Sequence, residues 1–139
     1  TAARLIKWEC NNKLKEYDIT TAQRAVMKDI YTEKQKQAGV ERFIQLSIAQ
    51  RLHSDRTTIS QIIDKLEERK LLERKKHPAD RRSYIVCITK SGEELINKIE
   101  KVAEEVISKA TKALPKNEYD VMVKGLKMII NNLSENKSY

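Results

Sequence analysis

Hydrogen-bonding side chains recur along one side of the segment that follows Asp55, and none of them suits a protein core. They are Arg56, Thr57, Thr58, Ser60, Gln61 and Lys65. Arginine can bind guanine, and glutamine can bind adenine, through paired hydrogen bonds in the major groove, each pair worth about 1–3 kcal/mol of discrimination. Arg56 and Gln61 are therefore the candidates for reading bases. Asp64 is the exception on this surface: it either orients an arginine or accepts from a cytosine amino group.

A second basic cluster lies further along the chain, in a turn with two arginines at its tip. The turn is HPADRR, residues 77–82, and it is preceded by Arg74, Lys75 and Lys76. Contacts from lysine and arginine to phosphate position a protein on DNA but carry no sequence information. The flanking residues are therefore predicted to contact the DNA backbone.

Two short helices position the first cluster. Ser47 and Gln50 have the spacing of a capping box at the start of the first helix. After a break at His53, Asp55 is placed to cap a second helix that runs to about Arg69. The second helix carries one apolar stripe suited to a core, made of Ile59, Ile62, Ile63 and Leu66. This pair predicts a helix-turn-helix, in which the first turns of the second helix enter the major groove.

Two strands frame the basic turn. Residues 71–76 predict an edge strand, and residues 83–88, SYIVCI, predict its antiparallel partner because they are rich in β-branched and aromatic side chains. Residues 43–46 are expected to join them as a third strand. A helix-turn-helix followed by such a hairpin is a winged helix. The predicted class is therefore mainly α with a small antiparallel β wing (α+β).

Two amphipathic helices are predicted before the winged helix. The first covers residues 3–17. The second begins at Thr20, where Gln23 completes a capping box, and Gly39 is placed to form its C-terminal cap. Both therefore lead the chain into the helix-turn-helix.

Two further helices after the wing carry apolar stripes that have no partner in the chain. One is predicted from Thr89 to about Ala113 and the other from about Lys116. Leaving both stripes in water would expose a larger apolar patch than a soluble monomer tolerates. A homodimer is therefore predicted, with an intramolecular helix bundle as the alternative.

The winged helix and its flanks resemble the MarR family of bacterial and archaeal transcription regulators. The resemblance lies in LSIAQRL, in DRTTISQIIDKLEERKLLERK, and in the wing sequence DRR (residues 80–82) followed by a strand that ends in ITKSG. It covers about residues 19–105. It implies a sequence-specific DNA-binding regulator, more often a repressor than an activator. Such regulators bind a pseudo-palindromic operator as a dimer, and a small ligand or oxidation often releases them.

The same resemblance implies roles for the wing. Arg82 is expected to enter the minor groove, where a narrow groove has an enhanced negative potential. Arg81 is expected to lie along phosphates. Asp80 is expected to hold the wing arginines by an ion pair. The wing would thus add minor-groove contacts to the major-groove contacts of the recognition helix.

Length and charge agree with one DNA-binding domain. The 139 residues are 40% hydrophobic and 35% charged, with 3 Gly and 2 Pro. The net charge of +8 is concentrated in the middle, with +3 over residues 1–40, +5 over residues 41–90 and zero over residues 91–139. A surface of this charge is suited to phosphates. One domain is expected over residues 1–139, with the winged helix over about 41–90 and dimerisation helices over about 1–18 and 91–139.

The resemblance also implies a cleft for a small aromatic effector, between the dimer helices and the DNA-binding lobe. An aromatic acid or a phenol would fit the chemistry of the candidate lining residues, Arg4, Lys7, Trp8, Tyr17 and Tyr31. The alternative is that these aromatic side chains are ordinary core. No cofactor is expected.

An oxidation switch through Cys10 is a second regulatory option. Lys7 and Lys13 lie near Cys10 in sequence and would favour its thiolate, although the peroxide-sensing branch of the family carries its reactive cysteine earlier in that helix. Cys87 lies on an apolar strand and is predicted to pack. The two cysteines form no CxxC pair, so free thiols in a reducing cytoplasm are expected.

Other classes of function find little support in the sequence. It has no nucleophile–base spacing, no glycine-rich phosphate loop and no HExxH motif, so an enzyme is not expected. His53 and His77 lack the spacing of metal ligands. No apolar run approaches the roughly 20 residues of a membrane span. A winged helix that binds protein remains the alternative, although protein interfaces deplete lysine and favour aromatic residues.

Overall fold

The structure is a computed structural model that describes residues 1–135, with side chains as far as Ser134. Short 3₁₀ helices at Lys15–Tyr17 and Val40–Phe43 accompany its main elements. These are α1 Ala2–Leu14, α2 Thr21–Gln35, α3 Gln45–Arg51, α4 Arg56–Glu68, β1 Leu72–Lys76, β2 Tyr84–Ile88, α5 Lys90–Ala110 and α6 Lys116–Glu135. The predicted class, mainly α with a small antiparallel wing, is confirmed. No helix within residues 1–135 is both long and apolar enough to cross a membrane.

The helix-turn-helix forms around the predicted apolar stripe of α4. Ile59, Ile63 and Leu66 are buried, and Ile62 packs against the same core. Asp55 caps α4, since its Oδ1 accepts from the backbone N–H of Thr58 at 2.7 Å and its Oδ2 accepts from the Thr58 hydroxyl at 2.8 Å. These hydrogen bonds lower the pKa of the Asp55 carboxyl. The stripe and the cap are therefore both confirmed.

The beginning of α3 differs from the prediction. The helix starts at Gln45, and Ile44 precedes it in an extended conformation without a side-chain cap. The Ser47 hydroxyl instead donates to the backbone oxygen of Glu41 at 2.7 Å, so it anchors the preceding 3₁₀ helix. The capping box predicted from Ser47 and Gln50 is wrong because the serine already lies inside the helix.

The segment between α2 and α3 also differs. Helix α2 ends at Gln35, before Gly39, because Gln37 adopts a left-handed conformation (φ 55°) and the Ala38 N–H bonds back to the Glu33 carbonyl. The predicted cap at Gly39 is therefore wrong. Residues 43–46 form no strand, and a single bridge between Ile44 and Ile85 takes its place beside the wing.

The wing is an antiparallel pair, β1 and β2, whose register runs from Leu72 opposite Ile88 to Lys76 opposite Tyr84. Thr89 follows β2 and caps α5, accepting from the Gly92 N–H at 3.0 Å. Gly92 lies where α5 crosses the base of the wing. A β-carbon there would overlap the Leu71 carbonyl oxygen and lie 2.7 Å from Ile88 Cγ1. The glycine in the ITKSG sequence therefore has a steric cause.

The outer helices are packed unevenly. Helix α5 buries Ile96, Ile99, Val102 and Val106 and ends at Ala110, three residues before the predicted end. Helix α6 begins at Lys116, as predicted, but seven of its large apolar side chains are exposed: Val121, Met122, Leu126, Met128, Ile129, Ile130 and Leu133. Most of the hydrophobic core lies instead among α2 to α5 and the sheet.

Candidate nucleic-acid interface

The first turns of α4 present most of the predicted base-reading side chains to solvent. Arg56, Thr57, Thr58, Gln61 and Lys65 are exposed, and Ser60 is half-buried. The Thr58 hydroxyl is already used, because it donates to the capping carboxylate of Asp55. Arg56 lies on the side of the helix that faces the wing, whereas Gln61 and Lys65 line a groove of about 500 Å³ between α4 and the start of α2. Helix α4 can therefore present hydrogen-bond donors and acceptors to a groove.

Arg74 has a different environment from the one predicted. Its guanidinium lies 2.8 Å from Asp64 Oδ1 and 3.0 Å from Glu67 Oε1, and 80% of its side chain is buried. Its backbone N–H also donates to Glu67 at 2.8 Å. Two carboxylates thus neutralise Arg74, which ties β1 to α4 and argues against a phosphate contact. Of the two alternatives for Asp64, the structure has it orienting an arginine.

The recognition helix and the wing meet at a concave surface. It forms a cavity of about 290 Å³ whose lining includes Arg56 from α4 and Arg82 from the wing, together with Tyr84 at the start of β2. Tyr84 is 52% exposed and was not predicted as a site residue. Its position beside a wing arginine is the sequence signal that could have identified it.

The arginines at the tip of the wing are exposed, but Asp80 does not pair with them as predicted. Asp80 Oδ1 accepts from the backbone N–H of Arg82 at 2.9 Å, and within the described side chains it forms no ion pair with Arg81 or Arg82. A two-residue separation favours this backbone hydrogen bond over a reach to the long side chain. Asp80 therefore shapes the turn and leaves both guanidinium groups available.

The two lysines before the turn are both exposed on β1. Lys75 Nζ lies 3.2 Å from Glu73, and this hydrogen bond raises the pKa of the lysine. Exposed pairs of this kind are weak and exchange easily for another anion. Lys75 and Lys76 are therefore both accessible to phosphates.

Arg69 at the end of α4 was not predicted to have a role. Its guanidinium donates to the backbone oxygens of Asp18 at 2.6 Å and Tyr17 at 3.1 Å. These carbonyls end the 3₁₀ turn after α1. The C-terminal end of α4 is therefore hydrogen-bonded to the turn that follows α1.

The candidate effector residues lie in different environments. Tyr17 and Tyr31 pack against the core, as the alternative had it, whereas Trp8 is 60% exposed on α1. Lys7 lines a groove of about 540 Å³ between α1 and the start of α2, and Arg4 is exposed. An apolar groove of about 330 Å³ between α1 and α5 is lined by other residues, among them Leu5, Ile6 and Val106.

Both cysteines are free and half-buried. Burial raises the pKa of the Cys87 thiol, which disfavours the reactive thiolate. Within residues 1–135 no group of three or more His, Cys, Asp or Glu side chains could hold a metal ion.

Comparison with known proteins shows which family and which solved structures the winged helix and its flanking helices resemble. Residues 19–84 match the model of the MarR family, and no curated protein matches the chain. Three similar crystal structures show the fold. A MepR–DNA complex from S. aureus has a TM-score of 0.80 at 24% identity, covering 94% of this chain and 91% of that one. A mutant MarR from E. coli complexed with operator DNA has a TM-score of 0.78 at 21%, covering 92% and 87%. CouR from Rhodococcus jostii, bound to p-coumaroyl-CoA, has a TM-score of 0.78 at 18%, covering 99% and 89%.

Proposed function

We propose, from the premise that residues 19–84 form a MarR-family domain, that this chain represses transcription by binding a pseudo-palindromic operator as a homodimer. Members of the family are DNA-binding transcriptional regulators and not enzymes. Four features are proposed for this chain beyond the family's role: a symmetric operator, a homodimer, repression, and release by a small aromatic ligand.

The observation that carries the DNA-binding surface is the meeting of Arg56 and Arg82 at one concave face. Neither guanidinium has an ion-pair partner among the described side chains. Arg56 and Gln61 read bases in the major groove from α4, with Thr57, Ser60 and Lys65 beside them. Arg82 enters the minor groove.

The sequence-independent contacts come from the exposed basic residues around this face. Lys75, Lys76 and Arg81 contact the DNA backbone, since each is exposed and none is enclosed by carboxylates as Arg74 is. Each phosphate neutralised in this way makes binding more dependent on salt.

The homodimer is supported by the uncovered apolar face of α6. Its seven exposed apolar side chains are chemically similar to the lining of the apolar groove between α1 and α5, because both surfaces are largely aliphatic. Residues 91–139 also carry no net charge, so two copies would not repel each other there. Two-fold symmetry then separates the recognition helices by about one duplex turn, roughly 34 Å.

Release by an aromatic ligand is supported by CouR, which has p-coumaroyl-CoA bound. In this chain the exposed Trp8, with Arg4 and Lys7 nearby on α1, offers an aromatic surface beside positive charge. A panel of phenolic acids should therefore raise the Tm and weaken operator binding together; an unchanged Tm across the panel would contradict the ligand.

The test is selection of DNA from a random-sequence pool by the purified protein, over a series of salt concentrations. We expect a palindrome with half-sites about one helical turn apart, and an affinity that falls steeply with salt. Arg82→Ala should weaken binding to the selected operator, while Arg4→Ala, the matched loss of one arginine on α1, should not. Binding without an enriched sequence, or with little salt dependence, would instead favour the protein-interaction module.

A further inference from the structure

The wing is organised around an imidazole that the DNA-binding surface does not use. The side chain of His77 is only 8% exposed, although it lies in a surface turn. Its Nδ1 lies 3.0 Å from the backbone nitrogen of Ala79 and 3.0 Å from that of Asp80. Its Nε2 lies 2.6 Å from Glu41 Oε1. Both ring nitrogens are therefore occupied.

The partners of the ring fix the position of its proton. Two backbone N–H groups point at Nδ1, so this nitrogen must be an acceptor and carries no hydrogen. The proton then resides on Nε2, which donates to the Glu41 carboxylate. A ring held at both nitrogens has one orientation, since turning it over would place the Cδ2–H against the two backbone N–H groups and the Cε1–H against the carboxylate.

His77 thereby controls the backbone that carries the wing arginines. It holds the N–H of Asp80, and Asp80 in turn accepts from the N–H of Arg82 through its side chain and from the N–H of Ser83 through its carbonyl. The backbone N–H of His77 donates to the Ser83 carbonyl at 3.1 Å and so joins the two ends of the turn. The whole turn is thus hydrogen-bonded back to one side chain.

The other end of the ring reaches the body of the protein. Glu41 belongs to the 3₁₀ helix before α3, and its backbone oxygen is bonded to Ser47 within α3. The bridge between Ile44 and Ile85 joins the same segment to β2. The imidazole therefore connects the tip of the wing to the helix-turn-helix and can fix the angle between them.

We propose that His77 is a positioning residue for the operator contact of the wing, acting through Arg82. This inference rests on the proposed entry of Arg82 into the minor groove. A turn that must be ordered on binding loses conformational entropy at that moment, whereas a turn already ordered by His77 does not. His77 therefore raises affinity for DNA without touching it.

The test is a double-mutant cycle between His77→Ala and Arg82→Ala, measured by binding to the selected operator. Alone, His77→Ala is expected to weaken binding about tenfold, which corresponds to the loss of about 1.4 kcal/mol. In the Arg82→Ala background the same change should weaken binding less than about twofold, because the residue through which it acts is gone.

A conservative variant separates positioning from general stability. In His77→Asn the side-chain oxygen can accept from the same backbone N–H groups, as asparagine does in many turns. We expect its affinity to return to within about threefold of the parent. Amide exchange should agree: the N–H groups of residues 79 and 80 should lose protection in His77→Ala and keep it in His77→Asn.

The outcomes distinguish the two levels of inference. If Arg82→Ala weakens binding and His77→Ala does not, or if His77→Ala weakens binding equally in both backgrounds, the positioning role is wrong and the wing contact stands. If Arg82→Ala leaves operator affinity unchanged, the wing contact itself is wrong and the role of His77 falls with it. Should His77→Ala fail to fold, Glu41→Ala, which removes the partner of Nε2, takes its place in the cycle with Arg82→Ala under the same criteria.

Discussion

Similar apolar residues are buried in the DNA-binding lobe, which comprises α2, α3, α4 and the wing, and exposed on the outer helix α6. In the lobe, Ile30, Ile48 and Ile63 are completely buried. In α6, Val121 is 71% exposed, and Ile130 and Leu133 are similarly uncovered. Burying an aliphatic side chain contributes about 1.5–3 kcal/mol. The lobe has thus already gained its hydrophobic free energy within one chain, whereas α6 can gain it only from another surface.

The two regions also differ in charge. The winged helix within the lobe, residues 41–90, carries +5, while residues 91–139, which include α6, are neutral. The charged surface suits a polyanion, and the neutral apolar surface suits another protein chain. This difference supports the proposal that one region binds DNA and the other mediates assembly, and four variants test it.

The largest effect is expected on the exposed face of α6. Leu126→Glu combined with Ile130→Glu places two carboxylates where a partner would bury aliphatic groups. We expect the dissociation constant of the dimer to rise by a factor of at least about 1,000, or about 4 kcal/mol. Sedimentation equilibrium measures it.

The control places charge on the far side of the same helix, through Lys124→Glu with Asn131→Glu. That variant should keep the oligomeric state of the parent. If the parent itself sediments as a monomer at micromolar concentration, the apolar face of α6 does not form a dimer interface.

The next effect is expected at Gly92, where α5 leaves the lobe. In Gly92→Ala the added methyl group overlaps the Leu71 carbonyl oxygen and crowds Ile88, so the helix must shift away from the wing. We expect the free energy of unfolding to fall by about 3 kcal/mol, as for overpacked sites. Urea unfolding tests this, with Gly39→Ala as the control because a β-carbon there meets nothing within 4 Å. Equal stability of the two variants would show that α5 can move freely on the wing.

A pH-dependent effect is expected within the lobe. Glu33 is 4% exposed, and its carboxylate accepts from Arg42 at 3.0 Å, with Arg51 at 3.8 Å. The hydrogen bond from Arg42, followed by the nearby positive charges, lowers the pKa of Glu33, against the opposing effect of burial. A lowered pKa in the folded state means that the stabilisation is present above the unfolded pKa and is lost as the pH falls through the folded value.

Glu33→Gln should therefore lower the free energy of unfolding by about 2 kcal/mol near neutral pH. The difference from the parent should stay constant down to about pH 5 and shrink at lower pH. Glu104→Gln, at an exposed position of α5, should show no such difference. A deficit that persists unchanged at pH 3 would mean that the charge of Glu33 is not what stabilises the lobe.

The smallest effect is expected at Arg69, which links α4 to the 3₁₀ turn after α1. Arg69→Met removes the hydrogen bonds to the carbonyls of Asp18 and Tyr17. We expect a loss of about 1 kcal/mol in the free energy of unfolding, and Arg69→Lys should retain part of it. Lys98→Met, an exposed cation on α5, is the control. No loss in Arg69→Met would indicate that the lobe and α1 are held together by packing alone.

Local patterns were enough to predict the helix-turn-helix. The cap at Asp55, the stripe of α4 and the antiparallel wing each depend on residues a few positions apart, and each is confirmed. The same reasoning failed where a local signal had a stronger distant competitor. Ser47 bonds to Glu41 instead of capping α3, and Gln37 ends α2 where Gly39 was expected to.

The candidate site divides in the same way. Its exposed members on α4 and at the wing tip followed from residue type and helical spacing. The neutralised Arg74, the exposed Tyr84 and the enclosed His77 did not, because each depends on which groups of other elements lie beside it. Residue type and spacing identified the candidate basic side chains, but they could not show which of these side chains form ion pairs.

By itself, then, the sequence determined a winged helix with a basic face and amphipathic outer helices, because periodicity, caps and charge act over a few residues. Only the tertiary structure decided that Asp64 and Glu67 neutralise Arg74, that Arg56 and Arg82 share one concave face, and that the α6 stripe is left uncovered. The reason is physical: a charge or an apolar side chain acts according to its neighbours in space, and folding brings those neighbours from distant parts of the chain.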